Sequence, residues 1–543
     1  MSLSKVAYRA SESEEKAASE PRALFIAVGF TLLVYFAARL AIAGLVAAPG
    51  LAPAGYAALL AAAAVFSGLR YDERATFARR FGRAAGVFLA LYFLSEPFTI
   101  PPAGVGPGHP AVLLQHAGRW IGVALGVLAW RRPAALFAGA FTLWLLRDLN
   151  GAVTGFYFSI LDIRNVAEVL AFVSVGICCV GMMQSNAKLR AFSGIDAATG
   201  ERAMLIAIAI GVGGHLGNYF YSAIAKLLLD GGPLSWIFDN RLYDGMLGAL
   251  ERWTFPFAAW PAVTQAIYDA IKALNLPLHI FTFVAQFAAV IAILRRKWVM
   301  ALTVVFDAFH LAVYFTMGLI FWKWICLNTV ILATLAKITD EQWKSVRYAG
   351  LAAALAGAAL FKTATLAWYD SPGFTSAFFE AETADGEWLR VPPAYFNSAS
   401  YQVSQARLYA PSAPGFNFSI WGSVLHKADA DAGRACQPPE GDALPPEKYG
   451  PLDRLAAYVW LNQDIAAAKA GPDGRRNYYL YMHHHMPSLF VRQPFDDADK
   501  RAIKGYRYVV ESVCLGLENG RLKRDVIARS EFPLPRPEAL EAR

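Results

Sequence analysis

The stretch AMLIAIAIGVGGHLGNYFYSAIAKLLL, residues 203–229, is apolar over a length that crosses the roughly 30 Å hydrocarbon core of a bilayer as a helix. Its polar residues are not scattered. His215, Tyr219, Ser222 and Lys226 follow one another at spacings of four, three and four, which stacks them on one helical face. A helix with such a stripe is long enough to span a membrane and too polar on one side to meet lipid there, so it belongs inside a bundle of similar helices.

The rest of the chain agrees. Of its 543 residues 56% are hydrophobic and only 17% charged, against about 25% charged in an ordinary soluble domain. Apolar runs recur from Ala23 to Trp368, after which charge, proline and alternating patterns take over to Arg543. The expected fold is an all-α polytopic membrane bundle over 23–368 of about eleven transmembrane helices, the first near 23–48 and the last near 346–368. A small α+β domain over 369–543 follows it. The net charge of +8 lies in short clusters between apolar runs, which are topology signals and not the basic face of a nucleic-acid binder. Lys5, Arg9, Lys16 and Arg22 mark the tail 1–22 as cytoplasmic, and Arg70 to Arg83 and Arg295 to Lys297 mark inner turns. No cleavable signal peptide is visible. An odd span count then places 369–543 in the periplasm of a bacterial inner membrane. The long outer loop 230–275, with Trp236, Trp253 and Trp260, is expected at the membrane interface.

In the C-terminal part, 387–418 and 477–491 alternate like strands, 451–469 has helical spacing and 496–504 reads as a short helix. Tyr506 to Ile527 reads as a hairpin turning at Asn519-Gly520, a pair suited to the positive φ angles of a tight turn. Cys178, Cys179 and Cys326 lie in spans as small core residues. Cys436 and Cys514 are the two outside them, either bonded as a disulfide or free. His483, His484 and His485 are consecutive in a predicted strand, so His483 and His485 share a face and are the available metal ligands, with a plain surface role as the alternative.

Further ionisable and polar groups fall in the spans. Asp307, His310 and Tyr314 share a side of the ninth, His279 and Gln286 lie seven apart on the eighth, and Arg164 and Glu168 form an i, i+4 pair early in the sixth. A polar chamber opening outward explains their common placement; interhelical hydrogen bonding is the alternative for any one of them. Lys226 lies roughly 35 Å along its helix, at the outer boundary, where it either faces the chamber or snorkels to the interface.

The segment His215 to Leu227, followed by Trp236 and Gly245, and the segment Phe306 to His310, continuing to Gly318, Phe321 and Trp322, resemble the two signature helices of the horizontally transferred transmembrane (HTTM) family. That family includes vitamin K-dependent gamma-carboxylase. The resemblance covers about 23–336. It implies that Lys226 is the base that starts oxidation of a quinol by dioxygen, with a quinol as the cofactor. Gln286 stands where family members often carry an acidic residue, and 148–157 lacks the histidine of the carboxylase branch, so glutamate carboxylation itself is not implied.

Three functions compete. The first is an outward-facing enzyme of quinol-linked chemistry that modifies a secreted peptide or protein, with Lys226 as base, His215, His279 and His310 handling protons and Tyr219, Ser222, Gln286, Asp307, Tyr314, Glu168 and Arg164 around the pocket. The second is a noncatalytic maturation, export or immunity factor that grips a secreted protein through its periplasmic domain. A transporter would carry repeats or paired broken helices, which are not seen.

Overall fold

The computed structural model describes residues 3–95, 109–154, 161–399, 415–439, 452–475, 488 and 490–538. The histidine triplet 483–485 and the predicted strand 477–491, apart from 488, 490 and 491, lie outside them. The N-terminal two thirds is helical: α1 (Leu3–Ala47), α2 (Ala52–Ala64), α3 (Thr76–Ser95), α4 (Pro110–Leu128), α5 (Pro133–Thr154), α6 (Leu161–Ser185), α7 (Ala187–Ser193) and α8 (Ala197–Leu227). Then come α9 (Ser235–Phe238), α10 (Leu242–Glu251), α11 (Pro261–Ala273), α12 (Asn275–Ala292), α13 (Arg296–Met317), α14 (Trp322–Leu335), α15 (Asp340–Leu355) and α16 (Gly357–Leu360).

Among the described residues, six helices are long and apolar enough to cross a membrane: Glu20–Ala47 within α1, α4, Ile163–Ser185 within α6, α8, α12 and α13. Eleven were expected. Charge accounts for part of the difference, since Arg79, Arg80 and Arg83 interrupt α3 and Arg147 with Asp148 interrupts α5. Length accounts for more, because α2 and α14 have only 13 and 14 residues.

Helix starts follow local chemistry. Asp196 accepts from the Thr199 amide (2.8 Å) at the head of α8, and Thr339 with Gln342 forms a capping box on α15. Between α8 and α15 the backbones touch: a Cβ placed on Gly213 would run into the Gly350 carbonyl, the close approach that small residues permit between membrane helices. Gly213→Val is therefore expected to cost about 3 kcal/mol, read as a lower unfolding temperature in detergent; an unchanged value would mean that the two helices are not held at this crossing.

The predicted last span near 346–368 is not one helix. α15 stops at Leu355, α16 is a single turn, and Phe361 to Pro372 runs extended against α6 and α8. An extended backbone inside an apolar bundle leaves amides and carbonyls that need partners. Polar side chains of the bundle supply them, as described below.

The strands are β1 (Gly373–Glu382), β2 (Trp388–Val391), β3 (Gly505–Glu518) and β4 (Arg521–Pro533), joined antiparallel in the order β2-β1-β3-β4. The predicted hairpin is β3–β4, and Asn519 and Gly520 turn it with φ of 53° and 72°. The predicted helix over 451–469 is Leu452–Ala468, and that over 496–504 shrinks to the turns Pro494–Asp497 and Lys500–Ala502. Of the predicted strand region 387–418, residues 400–414 lie outside the described residues and, among the rest, β2 alone is strand, while β1 was not foreseen. Nine of its ten residues are buried, so it lacks the inside–outside alternation that betrays a half-exposed strand. Cys436 and Cys514 are disulfide-bonded, tying the helix Lys427–Ala435 to β3.

The loop 230–275 folds into α9, α10 and α11, and it does more than lie at an interface. Every residue from Asp244 to Glu251 is buried, and α10 packs against β3 and β4. Glu251, 1% exposed, accepts from Arg390 (2.9 Å), Arg524 (3.0 Å) and Ser376 (2.9 Å). This carboxylate joins the bundle's loop to three strands.

Candidate functional site

A cavity of about 450 Å³ opens between α12, α13 and the loop helices. Its walls are apolar, including Phe281, Phe309, Val313 and Leu366, and its polar groups are few: Lys226, Gln286 and Asp370 are the principal ones, with Trp236 and Trp368 beside them. A concave apolar site with a few convergent polar groups is the usual form of a small-molecule site.

Lys226 reaches it from the last turn of α8. Its amine donates to the Leu366 carbonyl (2.6 Å) and to Gln286 Oε1 (3.0 Å), lies 3.3 Å from the Ser222 carbonyl, and stands 4.7 Å from the Trp236 ring centre. The side chain is 4% exposed. Of the two sequence-level alternatives, snorkelling to the interface is thus excluded. Gln286, seven residues after His279 on α12, is its direct partner.

The three histidines do not gather around this amine. His215 Nε2 meets Asn328 Oδ1 at 2.8 Å, and Asn328 in turn donates to Asp307 (2.7 Å), which links α8, α14 and α13. His310 Nε2 meets the Tyr219 hydroxyl at 2.9 Å, and Tyr219 stacks on Phe306 with ring centres 3.6 Å apart. Neither His215 nor His310 lines the cavity. Tyr314 packs beside Phe315 and does not line it either. The expectation of one chamber shared by all these groups is corrected: facing helices use them as struts, because a polar group in an apolar bundle needs a fixed partner.

The stripe on α8 has a second task. Asn218 accepts from the Ala364 amide (2.6 Å), Ser222 accepts from the Leu366 amide (3.1 Å), and Lys226 donates to the Leu366 carbonyl. From α6, Asn165 donates to the Lys362 carbonyl (3.1 Å) and Glu168 accepts the Lys362 amide. The predicted Arg164–Glu168 pair forms at 3.2 Å. These side chains hold the extended segment 361–368 against the bundle, and that segment in turn delivers Leu366, Trp368 and Asp370 to the cavity.

His279 stays close to the site through a relay not foreseen from the sequence. The Asp370 amide donates to Asn240 Oδ1 (2.6 Å), which fixes the orientation of that amide group. Asn240 Nδ2 then faces both Asp370 Oδ2 (3.0 Å) and His279 Nε2 (3.2 Å). His279 Nε2 is thereby an acceptor, and its proton sits on Nδ1. Asp370 Oδ1 accepts from Trp368 (3.2 Å). Burial pushes the Asp370 carboxyl up to about 6 against the hydrogen bonds from Asn240 and Trp368. Asp370 was missed because it lies just past the last apolar run, where a carboxylate passes for an ordinary exposed end.

Comparison of the chain with protein-family models, with curated proteins and with solved structures gives no match.

Proposed function

We propose that the protein is an integral membrane enzyme of the HTTM type, its N-terminus cytoplasmic and residues 369–543 on the periplasmic side of a bacterial inner membrane. Its reaction is quinol-linked and uses dioxygen as the electron acceptor. The observation that carries this reading is the placement of a single buried amine at the polar end of a largely apolar cavity. Phe281, Phe309 and Val313 suit an aromatic ring with an apolar tail, and Lys226 stands where it can take a hydroxyl proton, which an amine does only in its neutral form. Gln286 and the Leu366 carbonyl aim that amine.

The test is oxidation of a tailed naphthoquinol by dioxygen, followed by absorbance with the detergent-solubilised protein. Lys226→Met is expected to slow it by about 10²–10⁴-fold while tryptophan quenching by the quinone, reported by Trp236 and Trp368, persists. Oxidation by the wild type no faster than in buffer would end the enzymatic reading.

One observation favours a second reading, a noncatalytic maturation, export or immunity factor that binds a secreted protein through residues 369–543. His215, Asn218 and Ser222 are engaged as struts, as a scaffold would use them. An unchanged cellular phenotype for Lys226→Met, with loss on deleting 371–543, would select it.

A further inference from the structure

Asp370 is not the only buried acid at this end of the molecule. Gly245 on α10 comes so near that a Cβ there would stand 3.0 Å from Asp370 Oδ1. The preceding residue, Asp244, is 3% exposed, and its Oδ2 has no hydrogen-bond partner among the described residues. A buried carboxylate oxygen left without a donor is costly, which is unexpected in a helix whose other carboxylate, Glu251, is fully engaged. Asp370 lines the cavity and Asp244 does not; Asp244 interacts with Asp370 and also with Arg241 and Lys272, whose side chains are exposed.

The structure assigns Asp370 and Asp244 a joint role: they form the proton outlet of the cavity, Asp370 receiving the proton that Lys226 removes from a bound hydroxylated ligand and Asp244 passing it to water at the loop surface. The inference rests on the proposed role of Lys226 as a base. In the first step the ligand's O–H bond breaks as an N–H bond forms on Lys226. Lys226 and Asp370 line one cavity without touching, so the ammonium gives that proton to cavity water, which passes one of its own on as an O–H bond forms on the Asp370 carboxylate. Transfer to Asp244 and on to water restores both acids and the free amine, with no oxidant or reductant needed.

The surroundings suit a relay. Asp370 faces Lys226 from α8, Asn240 with His279 behind it, Asp244 from α10 and Arg434 from the helix Lys427–Ala435. Asp244 faces Tyr243 and Arg241, Tyr268 and Lys272 from α11, Arg434, and Asp370. Burial pushes Asp244 up to about 7, with Asp370 adding to the rise against Arg241 and Arg434, so both acids exchange protons near neutral pH.

A tailed nitrophenol, whose absorbance reports loss of its phenolic proton, serves as the probe, with a water-soluble pH dye reporting release. In the wild type, ionisation of the bound probe and proton release are expected to coincide. In Asp244→Asn and Asp370→Asn the probe should ionise while release lags by roughly a hundredfold. Asp370→Glu, which keeps a carboxyl, should release within about tenfold of the wild type; this separates proton transfer from misfolding. Release at the wild-type rate from both asparagine variants would overturn the outlet and leave the cavity reading standing. A probe that fails to bind the wild type, or binds without ionising, would overturn the lysine-base reading and the outlet with it.

Discussion

Glu251→Ala is expected to lower stability by about 3–5 kcal/mol, the cost of removing one partner from a buried ion pair and leaving the other uncompensated. Arg390 and Arg524 both point at this carboxylate, and Arg390 also donates to the Glu251 carbonyl (3.0 Å). Arg252, donating to the Ala377 carbonyl (2.9 Å), adds a third guanidinium nearby. Burial alone would raise the Glu251 carboxyl, but Arg390, Arg524 and Arg252 outweigh it and hold it at about 2. The group's contribution is therefore fully present above the ordinary carboxylate range, near pH 4.5, and is lost as the pH falls through about 2. The pairs continue outward: Arg524 also binds Glu511, Arg529 joins Glu511 to Glu380 (2.5 and 3.0 Å), and Arg507 closes on Glu380 (2.6 Å). Among the described residues, loss of Glu251 thus leaves Arg524 one carboxylate partner and Arg390 none. Unfolding temperatures in detergent across pH 3–7 would measure this. Equal values for variant and wild type at pH 7 would show that the loop and the sheet do not depend on this carboxylate.

The opposite sign is expected at Asp244. Its carboxyl is raised to about 7 by burial, so its contribution is complete below the ordinary value near pH 3.8 and disappears as the pH rises through about 7. Asp370, raised to about 6, acts in the same direction. Asp244→Asn replaces a carboxylate that must ionise in a dry site with a neutral amide of similar shape. It should raise stability at pH 8 by up to about 4 kcal/mol, since one pKa unit is worth about 1.4 kcal/mol, and change it little at pH 4. A series of unfolding temperatures at pH 4, 6 and 8 decides the matter: parallel curves for the two proteins would mean that Asp244 titrates alike in the folded and the unfolded chain, so that burial does not raise it. The two acidic devices have different purposes. Glu251 is held charged by arginines because it fastens two parts of the molecule, while Asp244 keeps one oxygen without a donor among the described residues, which costs stability and suits a proton-exchanging role.

Much of the site was legible in the chain itself. Spacing alone placed His215, Tyr219, Ser222 and Lys226 on one face of α8, since 3.6 residues per turn leaves no other arrangement. It also paired Arg164 with Glu168 and turned the hairpin at Asn519-Gly520, because these interactions span four residues or fewer. Cys436 and Cys514 stood out as the two cysteines outside the apolar runs, bonded or free, and the structure bonds them. Hydrophobicity alone marked out membrane helices, since the solvent of a segment is written in its composition.

What those side chains meet was decided only by the tertiary structure. Sequence periodicity fixes which way a residue points, not which neighbour fills the space there, and in an apolar interior the choice of polar partner is made across hundreds of residues. The stripe on α8 met the backbone of 361–368, which reads as helix by its apolar content and is extended because Asn165, Glu168, Asn218 and Ser222 satisfy its amides and carbonyls. His215 and His310 were drawn to Asn328 and Tyr219, away from the cavity. Asp370, an anonymous acid in the chain, came to share a cavity wall with Lys226 and to lie against Gly245 of α10 through the fold of the loop and of the extended segment. Local geometry set the direction of each group, and long-range packing, which alone determines how much water each group retains, set its chemistry.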